Sequence, residues 1–217
     1  TTAYQEAEWI SEFYVVMHSM ASRVDPELSR REQVMWLAER ARERLPNESY
    51  PAKMYDFIKK EYENNPDKDN WEQTRDLLYR RHTGVTTDGY NYRRWVAAGI
   101  NVGASVISLF YGEGDFRETI KIAVLTGWDS DNPAATWGGL LGFMNGREAI
   151  EVQFEQRFSN RFNIHRTRRN FPVANGVDTF DAMARAGVTI IDRVVVEELD
   201  GHREPRSGEW QIPLSKH

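Results

Sequence analysis

The chain has 217 residues, a formal net charge of -5, 40% hydrophobic and 12% aromatic content, and no cysteine. A chain of that length and apolar fraction can bury a real core as one soluble globular domain over residues 1–217, and its acidic balance gives no overall attraction to nucleic acid or anionic membrane. The lack of cysteine removes disulfides, thiolate nucleophiles and cysteine-ligated zinc, and no uninterrupted apolar run reaches membrane-spanning length.

Ile10, Phe13, Tyr14, Met17, Ala21 and Val24 recur at three- and four-residue steps, which predicts a first helix with one buried face, broken at Asp25-Pro26. Val34, Leu37, Ala38, Ala41 and Leu45 carry a second helix that Pro46 closes. Met54, Phe57, Ile58 and Tyr62 predict a third, and Asn70 is a cap for a fourth beginning at Trp71. From Thr83 to Arg94 turn formers dominate, so this is a loop, with Tyr90 and Tyr92 giving it aromatic character. Trp95 to Tyr111 is almost wholly apolar or small and belongs at the centre of a bundle. Asp115 and Glu118 have the spacing of a capping box for the next helix. Further helices are expected from Arg147 to Phe162 and from about Thr179 to Val188, and VTIIDRVVVEEL after that reads either as helix continuation or as a strand. Seven or more helices with little strand make an all-α domain, an arrangement of packed helices with no repeat and no internal boundary.

The segment GWDSDNPAATWGGLLG, Gly127 to Gly142, carries the chemistry. Asp129 and Asp131 stand one residue apart on a short loop between two apolar helical runs, and in an extended segment their side chains would point the same way, toward one ion. Like charges held that close repel unless a cation or a proton separates them. Gly127 suits a helix-ending turn, Asn132-Pro133 reads as a cap and first helical position, and Gly138, Gly139 and Gly142 would let a neighbouring helix or ligand approach closely. The plain alternative is a solvated polar loop. A calcium loop of the EF-hand type is excluded, because its fifth, sixth and twelfth positions would be Pro133, Ala134 and Leu140.

An aspartate pair followed by a small-residue helix resembles the C-terminal metal motif of the ADP-ribosylglycohydrolase superfamily, also called the dinitrogenase reductase-activating glycohydrolase or crystallin J1 superfamily. The likeness extends upstream through Gly99 to Asn132, and downstream DTFDAMARAGVTIIDRVV and EWQIP resemble the ends of its larger members. The resemblance implies an orthogonal multi-helix bundle and two divalent cations, Mg2+ or Mn2+, with Asp129, Asp131 and Asn132 at the C-terminal ligand positions. Asn132 stands where the family usually has threonine, and an amide oxygen is still a hard ligand. The family's N-terminal half supplies the other ligands from a Ser/Thr-Asp-Asp-Thr motif, and no Asp-Asp pair occurs here. The chain is therefore expected to be the C-terminal portion of an incomplete domain, with the missing N-terminal half as an upstream segment or a separate chain.

The implied activity is hydrolysis of an N- or O-glycosidic bond to ADP-ribose or a related ribosyl compound. Its substrate would be a small molecule or an ADP-ribosylated one, and the catalytic acid and base are not identified. The alternative is a non-catalytic helical member that binds a ligand or serves a structural purpose. Asn101, polar on an apolar helix, and Trp128, between Gly127 and Asp129, are candidate substrate contacts; a structural hydrogen bond and a packing anchor are their alternative readings. Arg157, Arg161, Arg166, Arg168 and Arg169 lie among aromatic residues, a pattern read in an acidic protein as a solvated or internally paired face, and no nucleic-acid or membrane partner is expected. His18, His82, His165, His202 and His217 show no ligand spacing, and a Thr1 nucleophile exposed by self-cleavage is a third and weaker idea. A cytoplasmic setting is favoured slightly over secretion.

Overall fold

A computed structural model of the chain describes residues 3–82, 97–164 and 176–213. The expected loop from Thr83 to Arg94, with Trp95, Thr1, His165, His217 and the last three arginines of the basic stretch, lies outside those residues. The chain divides into two compact units, Thr1–Gln156 and Arg157–His217.

The first unit contains α1 (Glu6–Met20), α2 (Arg30–Arg42), α3 (Tyr50–Asn64), α4 (Glu72–His82), α5 (Ala98–Gly112), α6 (Phe116–Thr126), α7 (Asp131–Asn145) and α8 (Arg147–Gln153). The apolar spacing read along the first 111 residues falls on buried faces: Ile10, Phe13 and Met17 on α1, Val34, Leu37, Ala38 and Ala41 on α2, Met54, Ile58 and Tyr62 on α3. α5 lacks a polar face and is buried from Gly99 to Gly112, and it packs against α1, α2, α3, α4, α6 and α7. Burying each large apolar side chain of this core contributes roughly 1.5–3 kcal/mol. Phe13, Tyr55 and Phe110 add edge-to-face contacts, with ring centroids 5.9 and 5.4 Å apart.

The turn from α5 into α6 depends on Gly112. A Cβ there would fall 2.6 Å from the backbone Cα of Thr119, so no larger residue fits between the two helices. Asp115 then caps α6 by accepting the N–H of Glu118, but the Glu118 carboxylate pairs with Lys121 and the box is only half made. The complete capping box belongs to Ser29 and Glu32 at the start of α2.

The expected helix from Arg147 to Phe162 stops at Gln153. Glu155 takes a left-handed φ of 51°, which ends the helical path, and Phe162 instead enters a strand.

In the second unit, β1 (Arg161–Asn163) pairs antiparallel with β2 (Val177–Thr179), Phe162 opposite Asp178. α9 (Phe180–Glu197) follows, capped by Thr179, whose hydroxyl accepts the N–H of Ala182. The β-branched run is thus helix. Its capped start and the Arg193–Glu197 pair, one turn apart, accompany a helical period that outweighs strand propensity. A hairpin of β3 (His202–Arg203) and β4 (Trp210–Gln211) is tied to α9 through Asp192, which accepts the Trp210 indole N–H at 2.7 Å. Among the described residues the protein is all-α apart from these two small ribbons, and no helix is long and apolar enough to cross a membrane.

Candidate functional site

The loop between α6 and α7 is not the extended segment its sequence suggested. Gly127 ends α6 at φ 102° and ψ -161°, a region in which L side chains are strained. Trp128 follows in the left-handed region, at φ 56°, which is uncommon for a bulky residue. Ser130 is already helical, and the Asn132 N–H returns to the Asp129 carbonyl at 2.9 Å. α7 therefore begins at Asp131, with Ser130 at its cap and Pro133 third in the helix, not with Asn132 as cap. Proline is tolerated there because first-turn N–H groups have no helical partner, and the Asp131 carboxylate lies where the helix dipole favours negative charge.

This tight turn, not strand alternation, brings the two acids together. The Asp129 carboxyl is pushed above its ordinary range first by lost solvation, then by a hydrogen bond with the Asp131 side chain and by the like charge of Asp131. A proton shared between two carboxyl groups is one way to hold them adjacent; a cation is the other.

Beside the pair lies a cleft of about 310 Å³, lined by Ile10, Ser11 and Tyr14 of α1, Asn101 of α5, Asp129, and Asn132 and Thr136 of α7 among others. Asn101 is 5% exposed. Its Oδ1 accepts the Asp129 backbone N–H at 3.0 Å and its Nδ2 donates to the Ala97 carbonyl at 3.0 Å. Tyr14 donates its hydroxyl to Ser105 Oγ at 2.9 Å, and burial pushes its phenol up to about 12. Trp137, fully buried beneath the cleft, packs edge-to-face on Tyr14 and donates its indole N–H to the Ser105 carbonyl at 2.8 Å.

The structure thus brings Asp129, Asn132 and Asn101 to one cleft, with Asp131 exposed at its edge. Trp128 is not on the cleft wall; its ring is half-buried against the hydrophobic core. Gly138 and Gly139 leave a would-be Cβ no closer than 3.7 Å to Ile120 and His18, and Gly142 has nothing within 4 Å, so no helix of the described residues approaches closely there. Among the described residues no group of three or more His, Asp or Glu converges, and neither His18 nor His82 lines the pair's cleft. Arg157 and Arg161 are exposed. The hydroxyls of Ser11, Tyr14 and Thr136 escaped the sequence reading, because on a helix their only signal is register with the apolar stripe.

A family model, ADP-ribosylglycohydrolase, matches residues 1–183. The chain belongs to the ADP-ribosylglycohydrolase family. The matched span takes in the whole Asp129–Asn132 turn and all the cleft residues, so the family assignment and the geometry concern the same part of the chain. No curated protein and no solved structure matches it. At the level of the superfamily the family is one of glycohydrolases, and the all-α architecture agrees with it.

Proposed function

We propose that the chain contributes to a divalent-metal-dependent hydrolase that cleaves an N- or O-glycosidic bond to ADP-ribose or a related ribosyl compound, with Asp129, Asp131 and Asn132 as ligands to Mg2+ or Mn2+. The observation that carries this reading is the tight turn that sets Asp129 and Asp131 close enough to raise the Asp129 carboxyl above its ordinary range, beside a cleft lined by amide and hydroxyl residues. The donor set fits a hard cation: two carboxylates and an amide oxygen. Two octahedral ions need about twelve oxygen ligands between them, so water, substrate and a further polypeptide segment, upstream or separate, complete the shells.

A bound ion would supply charge stabilisation at the anomeric centre and orient a water and the ribose hydroxyls. The chain's own residues have simpler tasks. Asp129 and Asp131 must be ionised to act, Asn101 and Asn132 present amides to the cleft, and Ser11, Tyr14 and Thr136 line the space in which a polyol would rest. The carboxylic acid that protonates the leaving group is assigned to neither Asp129 nor Asp131.

The test is release of ADP-ribose from ADP-ribosylated peptide and from small ADP-ribosyl compounds with Mg2+ or Mn2+. Metal-dependent release that Asp129→Ala abolishes is the expected result; release indifferent to metal or to that substitution overturns the reading. A second reading, a non-catalytic helical member that binds a ligand in the same cleft, is favoured by Asn132 in place of threonine and by the lack of an Asp-Asp pair in this sequence, and predicts saturable ADP-ribose binding without turnover.

A further inference from the structure

We propose that Asn101 is the positioning residue of the aspartate pair: an amide on the buried α5 clamps the backbone of Asp129 and so sets where its carboxylate stands. The inference rests on the metal reading above for its purpose, and on the hydrogen bonds alone for its mechanism.

Asn101 lies on the most deeply buried helix of the unit, 28 residues away from the turn in sequence. Its side chain has little choice of orientation. Nδ2 donates to the Ala97 carbonyl one turn earlier, so the amide oxygen faces the other way and meets the Asp129 N–H. A flipped amide would set its NH2 against that N–H and its oxygen against the Ala97 carbonyl, two repulsive contacts in place of two bonds.

The turn that receives this clamp is one that would not hold itself. Gly127 and Trp128 both have positive φ, and two acids of like charge follow within three residues. Such a conformation persists only where its surroundings over-determine it. Two anchors are present: the Trp128 ring against the core on one side, and the Asn101 oxygen on the Asp129 N–H on the other. Without the second, the Asp129 backbone keeps only the local bond from the Asn132 N–H to its carbonyl, and its carboxylate is held less firmly toward Asp131 and the cleft. Partners that orient ligands in this way typically change metal affinity by roughly 10–100-fold when removed.

The experiment compares the 217-residue chain with Asn101→Leu, which keeps the volume and loses the oxygen, and Asn101→Asp, which keeps an oxygen facing the N–H. Amide hydrogen exchange is read first in metal-free protein, where the added charge of Asn101→Asp has no cation to attract. Protection of the Asp129 amide is expected to fall in Asn101→Leu and to be retained in Asn101→Asp, with α5 and α7 unchanged; equal protection in all three overturns the clamp. Mn2+ affinity is read next by electron paramagnetic resonance, with a loss of at least about tenfold expected for Asn101→Leu. If the clamp is lost and Mn2+ affinity is not, Asn101 is structural only and the positioning role is overturned. If the wild type binds no Mn2+ with the segment that completes the ion shells present, the metal reading fails and takes that role with it, while the exchange data still report whether the clamp exists. Should Asn101→Leu fail to fold, loss of Asp129 protection in Asn101→Asp despite its oxygen overturns the clamp.

Discussion

Trp137 of α7 donates its indole N–H to the Ser105 carbonyl of α5 at 2.8 Å and lies 3.1 Å from Ser108 Oγ. The helix that begins with Asp131 is thereby pinned to the helix that carries Asn101, and the two sides of the cleft share one buried polar joint. Trp137→Phe keeps most of the packing and loses both bonds. Its expected cost is about 1–3 kcal/mol, the penalty of unpaired buried polar groups plus a small void, read as a shift of the urea midpoint. An unchanged midpoint would show that the joint does not hold the helices.

Tyr14 touches the same joint from α1 through Ser105 Oγ. With its phenol pushed up to about 12 by burial, it remains a neutral donor across the physiological range. Tyr14→Phe should cost about 1 kcal/mol of stability and leave metal affinity unchanged, since the hydroxyl is turned to the buried Ser105 and is not a ligand. Urea denaturation reads the first outcome and Mn2+ calorimetry the second.

The pH dependence follows from the direction of the Asp129 shift. Its carboxyl holds a proton more tightly in the folded chain than its ordinary value of 3.8, so this group stabilises the metal-free fold while protonated, and that contribution is lost as pH rises through the raised range. Metal-free stability is therefore expected to fall across the interval just above 3.8, and Asp131→Asn, which removes the like charge, should flatten that fall. Mn2+ competes with the same proton, so its affinity should weaken as pH is lowered through that interval. Denaturation and metal titrations at several pH values check both signs.

Two glycines of the motif have opposite expected outcomes. A Cβ at Gly127 meets no atom within 4 Å, yet the backbone conformation is strained for any L residue, so Gly127→Ala should cost about 1–3 kcal/mol. Gly142 has the same open space with helical backbone, and Gly142→Ala should stabilise by about 0.5–1 kcal/mol. Thermal denaturation of the pair reads both. A destabilising Gly142→Ala would mean that something outside the described residues packs on that face.

Much of the helical framework was legible, because three- and four-residue apolar spacing survives wherever one helix face is buried, as it does along α1, α2 and α3. α5 was legible by a different route: a helix without a polar face has only the centre to occupy. The boundaries after Gly142 were less so. Glu155 ends α8 by a single left-handed residue, which no residue type announces, and the β-branched run of α9 was balanced between helix and strand until its cap and charge pair were in view. At the site, the closeness of Asp129 and Asp131 was foreseen, but through the wrong geometry: the i and i+2 argument presumes extended chain, and Gly127 and Trp128 fold the loop into a tight turn instead. The bond from Asn101 to Asp129 is a tertiary contact, invisible to spacing. Only the oddity of an amide on an apolar helix pointed toward it.

The most direct measurement of the central claim is isothermal titration of Mn2+ into the wild-type chain, Asp129→Ala and Asp131→Ala. The account predicts saturable binding to the wild type that either substitution abolishes. Binding that survives both substitutions together, or no binding to the wild type with the segment that completes the ion shells present, would contradict it.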